Sequence, residues 1–406
     1  MRPLEEARAD VLEAMTRLDS EVVALGDALG RVLAEEVTAG HDIPPFPNSA
    51  MDGFAVLAAD IASVPVRLRV LEDVPAGSVP TTTVTPGTAI KIMTGAPMPA
   101  GADTVVKVEV TRQPDVGTVE ILEPTPLGTA VRPAGGDILT GTGVVAEGTV
   151  LGPVEIALLA TVGRHRPKVS RRPRVAVMAT GDELRSPDTE TLGPGQIRDS
   201  NRPLMRALVA EAGGEVLDMG IVADREDELT AALTEASENS DAILTSGGVS
   251  MGEYDLIKRV LSRNGDVHFW QVAMQPAKPF AFGRIGSTPL FGLPGNPVSV
   301  MVAFEQFARP ALLAMQGATA LFRPRIQARM GDSIDTDPAK VVFARVALRE
   351  EDGTTVAHLS GGQGSNVLSA LAAADGLAVV PVGVASLAAG DVVDVELFRH
   401  PSRRQP

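Results

Sequence analysis

The sequence predicts an α/β protein: a mostly parallel open-sheet domain, β-rich accessory domains and a small C-terminal β-barrel. Three observations lead there. Strand-like and helix-like runs alternate between about 174 and 315, the grammar of an open parallel sheet. Short Val, Ile and Thr runs broken by Pro and Gly lie on both sides of that stretch. A chain of 406 residues also exceeds what one hydrophobic core organises.

Leu4, Ala7, Val11, Leu12, Met15 and Leu18 recur at helical spacing and predict an N-terminal amphipathic helix, with residues 1–26 assigned to the core. Residues 27–47 read as extended and, with 138–170, form an elongated linking and dimerisation domain. Within it Val154–Val162 is the helical stretch. Residues 48–137 hold the β-runs Val66–Val70, Ala89–Met93, Thr104–Val110 and Thr118–Leu122, a β-rich domain. Six basic side chains between Arg164 and Arg174, flanked by prolines, read as a solvated linker rather than a polyanion site.

The α/β domain, 171–321, starts with a strand at Arg174–Ala179. A helix follows at Asn201–Ala212, opened by Ser200 and Pro203 and closed by Gly213-Gly214. Strands at 215–222 and 241–245 alternate with helices at 225–238 and 254–263. Strands near 267–274, 279–284 and 289–293 precede a long helix from about 297 to 315. Alternating runs such as Val341–Leu348 and Val392–Leu397 build the barrel, residues 322–406.

Composition narrows the function. With 51 acidic against 36 basic side chains the formal charge is −15, which argues against a nucleic-acid partner. The chain has no Cys, which excludes disulfides, thiolate metal sites and a cysteine nucleophile. Its five His are scattered, with no His-built metal site. The first ten residues are charged and no run of about 18 uncharged apolar residues occurs. A cytoplasmic protein without a membrane span is expected.

Ligands of such sheets bind outside the carboxyl ends of the strands. Four polar or Gly-rich loops fall there: Thr180–Glu183, Asp224, Thr245–Ser250 and Leu293–Pro297. Ser246, Gly247, Gly248 and Ser250 precede a helix, and backbone amides beside a helix N-terminus suit phosphate or pyrophosphate. Glu183, Asp224 and Asp255 are hard oxygen ligands suited to Mg²⁺, with Asp224 and Asp255 the metal ligands; helix capping is the plainer alternative for Asp224. Lys278, pinned between Pro276 and Pro279, is either a fixed point charge for an oxyanion or an exposed structural lysine. Gly248–Gly252 also matches the G-x-S-x-G nucleophile elbow, so a serine hydrolase at Ser250, with Asp255 and His268 or His358, stands as an alternative.

Asn48–Val56, Met93–Pro97, Gly101–Val106, Thr180–Leu184, Gly195–Asn201, the 245–255 loop, Lys278–Phe280 and Leu293–Ser299 together resemble the molybdopterin molybdenumtransferase family, which includes MoeA and the gephyrin E domain. The resemblance runs in order along essentially the whole chain. It implies a molybdopterin-binding fold in the sheet domain and an elongated homodimer, the β-rich domain reaching the partner subunit's site. The implied reaction inserts molybdate into the dithiolene of adenylylated molybdopterin and releases AMP, with Mg²⁺ on the pyrophosphate. Asp52, Glu183, Asp224 and Asp255 would be catalytic. Thr94, Asp137, Ser246, Gly247, Gly248, Ser250, Lys278, Pro294, Asn296 and Ser299 would bind substrate. Other cofactor-biosynthesis proteins and acceptor apoenzymes are the implied partners. An adenylyltransferase confined to 171–321 and a non-catalytic gephyrin-like scaffold are the alternatives within this resemblance. The chain departs from the pattern where Gln275-Pro276-Ala277-Lys278-Pro279 replaces Lys-Pro-Gly-Lys-Pro, and where Phe54 replaces Tyr. Loss of one Lys weakens an oxyanion site on Coulombic grounds, and Ala restricts a turn that Gly leaves free.

Overall fold

The structure, a computed structural model, describes residues 1–247, 260, 263 and 265–399. Helix α1 (Leu4–Glu13) turns Leu4, Ala7 and Val11 inward, as its periodicity requires. Val66–Val70 and the neighbouring β-runs build a six-stranded sheet. Its strands are β1 (Gly53–Val56), β2 (Val66–Val74), β3 (Thr88–Ile92), β4 (Thr104–Lys107), β5 (Thr111–Asp115) and β6 (Thr118–Ile121), in the order β4-β1-β3-β2-β6-β5. Alternating side chains feed two cores, Phe54, Val56 and Leu68 on one face and Ala55, Ile90 and Ile92 on the other. Helix α2 (Pro153–Thr161) packs with Leu33, Val37, Val145 and Val169 in a separate small core.

The basic run is not simply solvated. Arg171 forms a fork on Asp241 (Nη1–Oδ2 2.6 Å, Nη2–Oδ1 2.7 Å), and Arg172 donates to the Gly213 carbonyl at 3.0 Å. The reason is geometric. The run enters β7 (Arg174–Thr180), and the neighbouring strand begins at Ala242, so Asp241 lies beside the incoming chain.

The central sheet adds β8 (Glu215–Val222), β9 (Ala242–Ser246), β10 (Gly265–Gln271), β11 (Pro279–Ile285) and β12 (Thr288–Leu293), in the order β8-β7-β9-β12-β11-β10. The first four are parallel; β11 and β10 add an antiparallel edge. Helix α3 (Asn201–Glu211) packs on one face with α1, and α4 (Glu226–Asn239) covers the other.

Helix α5 runs from Pro297 to Met315, with its middle turn, Phe304–Ala308, widened to a π-helix. That register turns Glu305 and Gln306 inward. Glu305 accepts from Arg323 at 2.9 Å, and Gln306 is held between Arg8 and Glu396. Phe307 stacks on Phe280 with centroids 4.2 Å apart, a contact worth about 0.5–1.5 kcal/mol beyond its burial. By length and mean hydropathy (1.3) this helix, which carries Glu305 and Arg309, is apolar enough to cross a membrane, but 89% of that window is buried as the core of the fold.

Strands β13 (Arg325–Met330), β14 (Val341–Glu351), β15 (Thr354–Leu359), β16 (Gly376–Val380) and β17 (Val392–Leu397) close a five-stranded barrel in the order β14-β15-β13-β17-β16, β16 pairing back to β14. Met274 and Gln275 extend it, pairing in parallel with Val341 and Val342. This pairing stitches the barrel to the loop that carries Lys278.

Candidate active site

The register puts Thr180, Val222, Ser246 and Leu293 at one edge of the sheet: Thr180 opposite Val222, Ala179 opposite Ser246, and Ser246 opposite Leu293. The loops after these four residues therefore share the carboxyl edge. At the centre Ser246 is buried and its hydroxyl has no hydrogen-bond partner among the described residues. Gly247 follows with φ +95°, and a Cβ there would meet the Thr180 carbonyl at 2.7 Å, so glycine is required for the chain to turn.

At the β7 and β8 ends three carboxylates gather. The Asp224 N–H donates to Asp182 Oδ1 at 3.3 Å, and Glu183 folds its carboxylate back over Gly181. Burial first, then the charges of Asp182 and Glu183, push the Asp224 carboxyl above its ordinary range. Asp182 belongs to this group although it was absent from the residues singled out in the sequence; its place in Thr180–Glu183 was the available signal.

Beyond β12 the structure opens a cavity of about 340 Å³. Lys278, Pro294, Asn296 and Ser299 line it together, as do Gln275 from the same loop and Lys340, Gln363 and Ser365 from the barrel. Asn296 occupies the N-cap position of α5, and its side chain, rather than capping the helix, donates to Ser365 Oγ at 2.9 Å. The Pro294–Asn296 turn is tied to α3 by Asn201, whose amide donates to the Gly295 carbonyl at 2.6 Å.

Arg345 of β14 stands directly behind this wall. It is 1% exposed and donates to the carbonyls of Gly362 (2.9 Å) and Gly364 (3.2 Å). Gln363 locks the loop by accepting the Arg345 N–H at 2.9 Å. The guanidinium Nε has no partner among the described residues and burial lowers its pKa, while the bonds to Gly362 and Gly364 hold the loop that carries Gln363 and Ser365 in place. Sequence reasoning missed Arg345, Lys340 and Ser365 because nothing local distinguishes them from barrel residues.

Asp52 and Thr94 meet each other instead of either group. Asp52 Oδ1 accepts the Thr94 N–H at 2.7 Å and its hydroxyl at 2.8 Å, which depresses the Asp52 carboxyl. Asp137 is exposed, its N–H donating to the Ile43 carbonyl at 3.0 Å. Gly248, Ser250, Asp255 and most of the helix expected at 254–263 lie outside the described residues. The two histidines considered for a triad are placed elsewhere: His268 on edge strand β10 beside Asp266, and His358 in the barrel between Asp332 and Glu351.

An open α/β sheet whose strand edge carries an acidic group and a lysine-lined cavity, the latter completed by a β-barrel, defines an α/β protein with its candidate ligand site at the carboxyl ends of the strands. Three family profiles match the chain: the MoeA N-terminal region (domain I and II) over 2–163, a probable molybdopterin binding domain over 176–314, and the MoeA C-terminal region (domain IV) over 327–398. Molybdopterin molybdenumtransferase 2 of Mycobacterium tuberculosis is 39% identical over 405 residues, covering 97% of this chain and 99% of that one. Molybdopterin molybdenumtransferase of Nostoc is 38% identical, covering 93% of this chain and 89% of that one. The crystal structure of the molybdopterin biosynthesis moeA protein from Pyrococcus horikoshii superposes with a TM-score of 0.85 at 30% identity, covering 98% of this chain and 100% of that one. The chain belongs to the MoeA family of molybdopterin molybdenumtransferases.

Proposed function

We propose that this protein, an enzyme of molybdenum cofactor biosynthesis by its family, inserts molybdate into the dithiolene of adenylylated molybdopterin and releases AMP. The observation that carries the finer reading is the cationic cavity, set on the strand edge of a chain with a net charge of −15. Lys278 would hold the oxyanion beside Asn296 and Ser299, with the Arg345 charge behind them. Ser246 and the Gly247 turn, continuing into Gly248 and Ser250, would hold the pterin phosphates. Full-length similarity favours this activity over an adenylyltransferase confined to 171–321.

Mg²⁺ would need Asp224 together with Asp255, since no three carboxylates among the described residues form a metal-holding group by themselves; burial first, then the charges of Asp182 and Glu183, raise the Asp224 pKa, a penalty a cation would relieve. Bound there with Asp255, the ion would neutralise charge on the pyrophosphate that breaks when AMP leaves. Glu183 would orient a water for attack on the pterin-side phosphorus: the bond from that phosphorus to the bridging oxygen breaks as the new P–O bond forms, AMP leaves with the bridging oxygen, and the water's proton passes to the Glu183 carboxylate. Asp52, Thr94 and Asp137 enter the reading as residues offered to a partner subunit's site in a homodimer. The cytoplasm as site of action and acceptor apoenzymes as partners belong to the same reading.

Purified protein incubated with adenylylated molybdopterin, molybdate and Mg²⁺ should release AMP and yield cofactor that activates an apoenzyme. Failure of both overturns the proposal. Lys278→Gln should raise the KM for molybdate, whereas Asp255→Ala should abolish turnover. Light scattering at micromolar protein should give twice the 42.2 kDa chain mass.

A further inference from the structure

We infer that Asn201, at the start of α3, is a positioning residue for the reaction: it fixes the Pro294–Asn296 turn, and with it the side chain of Asn296, from the side opposite the barrel. The inference rests on the molybdate reading of the cavity that Pro294 and Asn296 line. The turn has little packing of its own to hold it. Pro294 is buried, but Gly295 and Asn296 are both exposed, and Gly295 has no side chain to anchor. Hydrogen bonds therefore decide where the turn sits. On the barrel side Ser365 supplies two: its hydroxyl accepts from the Asn296 amide at 2.9 Å, and its carbonyl accepts the Val298 N–H at 3.2 Å. On the α3 side the Asn201 amide donates to the Gly295 carbonyl at 2.6 Å.

Asn201 can hold the turn because its own backbone is held. Met205 and Leu208 of α3 share the central core with Met301 and Val302 of α5. The buried Asp199 fixes the first turn of α3: its carboxylate accepts the Arg202 N–H at 3.0 Å and the Arg202 Nε–H at 3.1 Å. The Asp199 N–H donates in turn to the Arg185 carbonyl at 2.8 Å, which ties the helix start to the loop after β7. A short side chain thus reaches from a fixed helix to an exposed turn. Its other end is left unsatisfied, for Asn201 Oδ1 is buried with no partner among the described residues. A residue serving stability alone would not leave that acceptor unpaired, so the amide is kept for what its nitrogen holds. Asn201 itself stands outside the cavity lining, and it acts only through the turn.

The test is the molybdate dependence of AMP release, with sodium molybdate titrated calorimetrically into the full-length protein as a second readout. Asn201→Ala should raise the molybdate KM and Kd about three- to tenfold, the range of one lost hydrogen bond, with kcat at saturation little changed. Asn201→Asp keeps the side-chain size but turns an oxygen toward the Gly295 carbonyl, so it should raise them at least as far. An acidic residue is favourable at a helix N-terminus, so this variant should melt no lower than Asn201→Ala, and it keeps the test decisive if the alanine variant is poorly folded. Because Asn201 acts through the turn, Asn201→Ala added to Asn296→Ala should raise KM no further than Asn296→Ala alone. If Lys278→Gln raises the molybdate KM while both Asn201 variants leave it unchanged, or if the two alanine effects simply add, the inference is overturned and the molybdate reading stands. If no substitution of Lys278, Asn296 or Asn201 alters molybdate dependence, both are overturned.

Discussion

Replacing Asp224 by Asn separates stability from function in a way that the acidic group dictates. Asp224 is partly desolvated and is also pressed by the charges of Asp182 and Glu183. Its folded-state pKa is therefore raised above the unfolded value. The folded state binds that proton more tightly, so the penalty is complete at neutral pH and disappears as pH falls below the unfolded value of about 3.9. These side chains are solvent-screened, and each like-charge contact is worth roughly 0.2–1 kcal/mol, so removing both should stabilise the variant by about 1 kcal/mol at pH 7.5. In calorimetry that is about 2–4 °C for a transition of 150–250 residues. Mg²⁺ reverses the order. At a hundred times its Kd it would stabilise the wild type by about 2.7 kcal/mol, and the variant by less. Without divalent cation the variant melts higher; with Mg²⁺ the wild type does, and only the wild type turns over. The reasoning is refuted if Asp224→Asn melts lower in chelator, or if Mg²⁺ moves both proteins equally.

Three other perturbations follow from local geometry. Ala277 is buried with φ +70°, a left-handed conformation that disfavours any Cβ. Ala277→Gly should stabilise the protein by about 0.5–1 kcal/mol, the strain relieved less the added backbone entropy of glycine, measured as a higher denaturant midpoint. Thr94→Val removes one of two hydrogen bonds to Asp52, so carbon-detected NMR should show the depressed Asp52 pKa moving up toward its ordinary value. Because the Asp52 anchor is present above the ordinary pKa and lost as pH falls through the folded one, the acid limb of any Asp52-dependent activity should move to higher pH. Arg171→Ala and Asp241→Ala should show a coupling of about 1–2 kcal/mol in a double-mutant cycle, reflecting a two-pronged, half-exposed pair. Burial raises the Asp241 pKa, but hydrogen bonds from Arg171 and the Arg174 N–H outweigh it, so the coupling should be present at neutral pH and fade in acid.

Much of this site was legible because its signals are local. A β-run that ends in Thr-Gly-Asp-Glu or Ser-Gly announces a strand-end loop, and parallel strands bring such loops to one edge whatever their order. The pattern Gln275–Pro279 even announced the backbone at Ala277, whose left-handed φ is where glycine would be easier. The π-turn at Phe304–Ala308 was hidden because one widened turn barely disturbs helical periodicity over 19 residues. The barrel's share of the cavity was hidden for another reason. Lys340 and Ser365 line the cavity together with Gln275, which pairs with β14 across more than sixty residues, a contact no window of sequence contains.

On the proposed reading, strand order explains how one acidic chain could serve a divalent cation and an oxyanion on the same edge. The carboxylates follow β7 and β8, whereas the cationic cavity follows β12, with β9 and its Ser246-Gly247 turn between them. At about 4.8 Å per strand the two groups stand roughly 10–14 Å apart, at or beyond the Debye length of about 8–10 Å. Neither field then cancels the other, and the net charge of −15 does not decide what either subsite attracts. The spacing has a further consequence for the barrel. Without β14 the cavity would keep Lys278 but lose Lys340 and the buried charge of Arg345, so the sheet edge alone would retain its acidic end and most of its phosphate loop. The barrel therefore supplies part of the cavity wall, and on the proposed reading its attachment through Gln275 is what would let the edge receive molybdate as well as phosphate.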